Sequence, residues 1–266
     1  MSGGTACTST AWDREAPRSC SKPGSAATAA TGATQPQLGQ ATRTCAYDRA
    51  GLGNSVATPG VNDAGDEIDD LQRLLDHAHI PPPYVLVGHS YGGLLARLFA
   101  HNHANETAGV VLVDAVGRDT IRRQLAIWPR SQAPTLRRAW AKPVFDRVDL
   151  RAGEALADRV RTLGQTPLAV VTAGRPDGGP LASLPPRLLR DEERLWMTMQ
   201  AELAGLSADH VHGVALRSGH FVQRLDGQPL VVIRAVRAVV DASRDHTRLP
   251  PCQRLFTGPN VRCLSG

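Results

Sequence analysis

Aromatic residues are scarce, at 4% of a 266-residue chain, and long apolar runs are missing altogether. No stretch approaches the roughly 18–20 consecutive apolar residues that a membrane-crossing helix needs. Residues 1–34 have neither the basic start nor the apolar segment of an export signal. As written, the chain is expected in the cytoplasm; a different native start carrying an export signal would make it a secreted protein. Lysine is rare, so the net charge of +5 comes mainly from arginines. They are spread along the chain and form no block that could follow a phosphate backbone, which excludes a nucleic-acid partner. The five cysteines, Cys7, Cys20, Cys45, Cys252 and Cys263, are odd in number and lack paired C-x-x-C spacing. No cysteine metal site and no cofactor are expected from them.

What is present reads as strands alternating with helices from Gln35 onward. That alternation is the signature of a mostly parallel sheet covered on both faces. Residues 1–34, rich in Ser, Thr, Ala and Gly without apolar periodicity, read as a disordered or non-native segment. Thr42 to Tyr47 is a candidate strand ending in Asp48-Arg49-Ala50-Gly51-Leu52-Gly53. A helix follows, with Asp66, Glu67, Asp69 and Asp70 in its first turns and Ile68, Leu71, Leu74 and Leu75 as its buried stripe. Tyr84 to Val87 is a continuous apolar run suited to a doubly covered strand, and the next helix carries Leu94, Leu95, Leu98 and Phe99 on one face. Further strands are expected at Val110–Val113, Leu168–Val171 and Val214–Leu216, with a closing helix from Pro229. The arginine-rich stretch at about 117–165, with Trp128 and Trp140, is placed as a cap over the strand ends; residues 35–241 form the core and 242–266 a tail.

Gly88-His89-Ser90-Tyr91-Gly92 is a G-x-S-x-G segment between a buried strand and an amphipathic helix, the context that gives this motif its meaning. A tight strand-to-helix turn needs neighbours without side chains, so that the serine hydroxyl projects toward a substrate carbonyl. The turn puts Ser90 at a helix N-terminus, where the Tyr91 amide can donate to an oxyanion. A serine hydroxyl needs a base, and His220 is the best candidate because it follows the last parallel strand and so reaches the same sheet edge. Two carboxylates satisfy the chain order Ser, Asp, His. Asp114 ends the strand after the nucleophile helix, and Asp177 lies in the loop after the following strand; the sequence leaves them even. His89 sits inside the elbow. His101 and His103 are expected to favour a helix C-terminus, and His77, His79, His210 and His212 to be solvated or half-buried without partners.

Through YDRAGLGNS (Tyr47 to Ser55), YVLVGHSYGG (Tyr84 to Gly93), VVLVDA (Val110 to Ala115) and SGHFVQ (Ser218 to Gln223), residues 35 to about 241 resemble the α/β-hydrolase superfamily. The resemblance implies a mostly parallel sheet flanked by helices, a helical cap, and a triad whose acid follows either the sixth family strand, as Asp114 would, or the seventh, as Asp177 would. A serine at the elbow points away from the relatives that use an aspartate nucleophile. The resemblance also implies a second oxyanion amide from a loop after the third family strand. No strand-like run precedes Thr42 to carry it, so the first strands are expected to be missing and the middle of the sheet left with a gap. The activity implied is cleavage of a small-molecule carboxylic ester. A peptidase or amidase, and a catalytically impaired relative, are the competing readings. Cys252 and Cys263 would close a short loop if oxidised and are otherwise free thiols; Cys45 is expected in the core.

Overall fold

The computed structural model describes residues 10–11, 34–52, 55–131, 148–175 and 185–264. In chain order the elements are β1 (Thr10–Ala11), α1 (Gln35–Leu38), β2 (Arg43–Thr44), α2 (Ala64–His77), β3 (Tyr84–His89), α3 (Tyr91–Asn102), β4 (Thr107–Val113), α4 (Thr120–Ile127), α5 (Leu150–Ala157), β5 (Leu168–Ala173), α6 (Pro186–Ala204), β6 (His210–Ala215), α7 (Pro229–Arg244), α8 (Cys252–Leu255) and β7 (Val261–Leu264). The strands form one sheet in the order β2-β1-β3-β4-β5-β6-β7. Its centre, β3 to β6, is parallel, and both edges are antiparallel.

The continuous apolar runs of the central strands are explained by two cores, because successive side chains point to opposite faces. Val85, Val111, Val113, Ala169 and Val171 pack beneath α7 with Val232, Val236 and Val239. Leu86, Val110, Leu112, Leu168 and Val170 pack on the other face with α2, α3 and the chain after α5. Helix α2 buries Ile68, Leu71 and Leu75 as its spacing predicts. Its start is fixed by Asp63, whose side chain accepts from the Gly65 and Asp66 amides while Asp66 accepts from the Asp63 amide, a reciprocal cap.

Several expectations change. The place between β2 and β3 is not a gap: Thr10 and Ala11 fill it, running antiparallel to both neighbours. A two-residue strand is too short to show any periodicity in sequence. The Thr42–Tyr47 run pairs only over Arg43–Thr44. The expected 117–165 cap is described only in part. From α5 onward its residues Ala157, Val160 and Leu163 join the core beside α2 and α3, whereas residues 132–147, Trp140 among them, lie outside the described part. Helix α6 was not legible as an element. The tail adds β7, antiparallel to β6, and a Cys252–Cys263 disulfide ties that strand to α8. Cys45 is partly buried against the core.

Candidate active site

The elbow is built by collisions avoided at two of its glycines. A Cβ at Gly88 would stand 2.2 Å from the Gly92 carbonyl oxygen, and one at Gly93 would stand 2.3 Å from Ala115 Cβ. Gly92 has no such neighbour within 4 Å, so crowding explains the first and third glycines of the segment and not the second. Ser90 adopts φ 54° and ψ −122°, a left-handed φ that side chains seldom take. Three bonds hold it there: the Ser90 amide donates to the Val113 carbonyl at 3.1 Å, and its own carbonyl accepts from the amides of Val116 at 3.1 Å and Gly93 at 3.0 Å. The serine is thereby locked to the exit of β4. Tyr91 opens α3, where the first amides have no acceptor within the helix. Its ring lies 5.1 Å from the Arg49 guanidinium, which also grips Glu67 through two hydrogen bonds of 2.7 and 2.8 Å. Burial pushes the Tyr91 phenol well above its ordinary range, so the side chain is neutral.

Asp114 follows directly at the end of β4, again with positive φ, 43°. Its amide donates to the Val171 carbonyl at 2.7 Å. One carboxylate oxygen, Oδ1, accepts from the Ala173 amide at 2.9 Å and from Trp196 Nε1 at 2.8 Å. The other, Oδ2, lies 2.7 Å from His220 Nδ1. A carboxylate can only accept here, so Nδ1 carries the proton and Nε2 is the unprotonated, basic nitrogen. His220 is placed by the loop after β6, and its carbonyl accepts from His89 Nε2 at 2.8 Å, with the two rings 4.4 Å apart. Burial, followed by the nearby His220, lowers the His89 pKa to about 4, so that ring stays neutral and serves as a donor.

Of the residues the sequence singled out, Ser90, Tyr91, Asp114 and His220 meet at the C-terminal edge of the parallel strands, where this class of sheet binds ligands. Asp177 lies outside the described residues. Three of the four histidines set aside as partnerless, His212, His210 and His77, have partners: His212 is buried beside Thr172 Oγ1 at 2.7 Å, with burial lowering its pKa to about 4, and His210 Nδ1 lies 2.7 Å from the Ser207 carbonyl. His77 Nδ1 lies 2.7 Å from the Arg73 carbonyl, and His103 stacks on Phe99 at 4.4 Å. Among the described residues no cluster of three or more histidines, cysteines or carboxylates could hold a metal ion. None of their helices is long and apolar enough to cross a membrane.

Trp196 and Gln200 were missed by sequence reasoning. Both lie on α6, one turn apart; Gln200 Nε2 donates to the Ala115 carbonyl at 2.6 Å, next to the Trp196 contact on Asp114. The available signal was a helical stripe, Leu188, Glu192, Met199 and Leu203, opening at a proline.

Comparison with known proteins adds the family. Residues 4–242 match the Alpha/beta hydrolase family. Uncharacterized proteins of Schizosaccharomyces pombe and Bacillus subtilis (YqjL) are each 38% identical, over 88 and 68 residues or 33% and 26% of this chain. Those matches span only 16% and 27% of the length of the two relatives. Among solved structures, the meta-cleavage product hydrolase CumD of Pseudomonas fluorescens is similar with a TM-score of 0.58 at 18% identity, covering 92% of this chain and 98% of that one. A thermophilic esterase of Thermogutta terrifontis gives 0.53 at 20% identity, over 80% and 85% of the two chains. At such identity the likeness speaks for the fold.

Proposed function

The chain belongs to the alpha/beta hydrolase family, and from that premise we propose that it is a serine hydrolase that cleaves small carboxylic esters through an acyl-enzyme. The observation that carries this reading is the 2.7 Å contact between His220 Nδ1 and Asp114 Oδ2 at the edge that holds Ser90. Ser90 Oγ attacks the ester carbonyl carbon and gives its proton to His220 Nε2. The tetrahedral oxyanion accepts from the Tyr91 amide. Collapse breaks the carbon–oxygen bond, the alcohol leaves with the proton from His220, and a water molecule repeats the sequence to release the acid and restore Ser90. Asp114 keeps His220 in the tautomer that leaves Nε2 basic and offsets the charge of the imidazolium. Of the two carboxylates, Asp114 is therefore the proposed acid. Helix α4 is proposed as the start of the cap, and the disulfide supports the exported alternative over the cytoplasm.

A second reading, a catalytically impaired relative, has one observation in its favour. Because β1 runs antiparallel, Ala11 leaves the sheet at the Tyr84 end, opposite the edge that carries Ser90. Among the described residues no parallel strand there delivers a second oxyanion amide, and loss of one such donor costs roughly 10²–10³ in rate where it has been tested. Labelling of the folded protein with a fluorophosphonate separates the readings. Modification that disappears in Ser90→Ala, together with turnover of short-chain esters, supports the first; an unreactive folded protein establishes the second.

A further inference from the structure

We propose that Trp196 is a positioning residue for the acid: its indole N–H fixes the rotation of the Asp114 carboxylate, so that Oδ2 alone faces His220. The inference rests on the reading of Ser90, His220 and Asp114 as a triad. Both oxygens of a carboxylate are equivalent until something distinguishes them, and here two donors converge on Oδ1, the Ala173 amide at 2.9 Å and Trp196 Nε1 at 2.8 Å. The indole also stands edge-on to His220, with ring centroids 6.4 Å apart and planes at 73°, so it bounds the space into which the imidazole could swing. The contact is not an isolated one. On the same face of α6, Gln200 Nε2 holds the Ala115 carbonyl at 2.6 Å, and Met199 is packed so closely on Gly117 that a Cβ there would stand 2.6 Å from it. Helix α6 thus grips Asp114, Ala115 and Gly117 at the β4 exit, a backbone that passes through a left-handed φ of 43° at Asp114. A non-glycine residue in that region needs its surroundings to hold it.

The N–H has two effects that one experiment can read. It prevents the carboxylate from rotating, and it draws charge from the carboxylate and so weakens the pull of Asp114 on a protonated His220. Replacing Trp196 with Phe keeps a ring and removes the donor. The rate constant for fluorophosphonate labelling of Ser90 is then followed from pH 5 to 9 in wild type, Ser90→Ala, His220→Ala and Trp196→Phe. Because His89 is held near 4, it does not titrate in the range where the labelling limb is read. With Trp196→Phe the plateau is expected to fall about tenfold, as for loss of one charge-assisted hydrogen bond, and the acidic limb to move up by about half a pH unit. A plateau that falls without movement of the limb marks a merely structural role and overturns the proposal, as does a profile identical to wild type. Neither result touches the triad, which fails separately if labelling survives in Ser90→Ala or is unaffected in His220→Ala. Should Trp196→Phe not fold, benzothienylalanine at position 196 keeps the bicyclic shape and lacks only the N–H; the same two outcomes decide.

Discussion

Glu154 supplies the most quantitative test of the packing on the face of the sheet that carries α3. It lies buried on α5 and accepts from the Ile121 amide at 3.3 Å, so it caps the start of α4. Arg97, fully buried on α3, and Asp158 and Asp119 are its charged neighbours. Burial, reinforced by Asp158 and opposed by the Ile121 amide and Arg97, raises its pKa from 4.5 to about 7. In the folded protein the proton stays on up to that pH, whereas the unfolded chain releases it near the ordinary value. The stabilisation is therefore complete below pH 4.5, declines as pH rises, and is gone above about 7. At about 1.4 kcal/mol per pH unit of displacement the loss amounts to ~3 kcal/mol, a sizeable share of the 5–15 kcal/mol typical of a domain. Glu154→Gln keeps an acceptor for Ile121 and has no charge to bury. Urea unfolding at half-unit steps from pH 4.5 to 8 should show the variant gaining on wild type by ~3 kcal/mol across that window, with the gain complete by pH 8. Parallel stability curves for the two proteins would mean that Glu154 ionises in the folded state as it does in water, and the reasoning from burial would be refuted.

Other outcomes follow from the site. In Asp114→Asn the two N–H donors on Oδ1 should keep the amide oxygen there and turn its NH2 toward His220 Nδ1, forcing the ring proton onto Nε2. Loss of roughly 10⁴ in kcat with a thermal midpoint near wild type is expected from a blocked base, and loss of less than tenfold would remove Asp114 from the triad. Gly93→Ala should cost ~1–3 kcal/mol or prevent folding because of the 2.3 Å approach to Ala115, while Gly92→Ala should stay within about 1 kcal/mol of wild type; equal effects in thermal melts would contradict the account of the elbow.

The parts of the fold that were legible in sequence are those where one local pattern has one explanation. The Tyr84–His89 and Thr107–Val113 strands are continuous apolar runs because both of their faces are covered, and α2 and α7 carry stripes that only a helix aligns. The elbow was legible because its glycine–serine spacing lies within one short segment between a strand and a helix, and its first glycine answers a collision within the turn itself. Pairings that depend on distant partners were not. Nothing local marks Asp114, since its side-chain partners are a histidine 106 positions later and an indole 82 positions later. Thr10–Ala11 and Val261–Leu264 became strands by pairing with neighbours far away in sequence, and segments this short bear no mark of it. His212 read as solvated or half-buried without a partner because its partner, Thr172, lies on the neighbouring strand.

From β3 to β7 the order of strands in space is the order in which they are made. Each new strand therefore finds its neighbour already synthesised just upstream, and this half of the sheet can be laid down progressively on the ribosome, without waiting for a later segment to thread between earlier ones. The same order staggers the arrival of the reactive groups. Ser90 and Asp114 are brought side by side once β4 pairs with β3, but His220 enters only after β6 has been added. On the proposed mechanism a growing chain thus displays a serine without its base, and the hydroxyl gains its reactivity only after β6 is in place, when most of the hydrophobic interior already surrounds it.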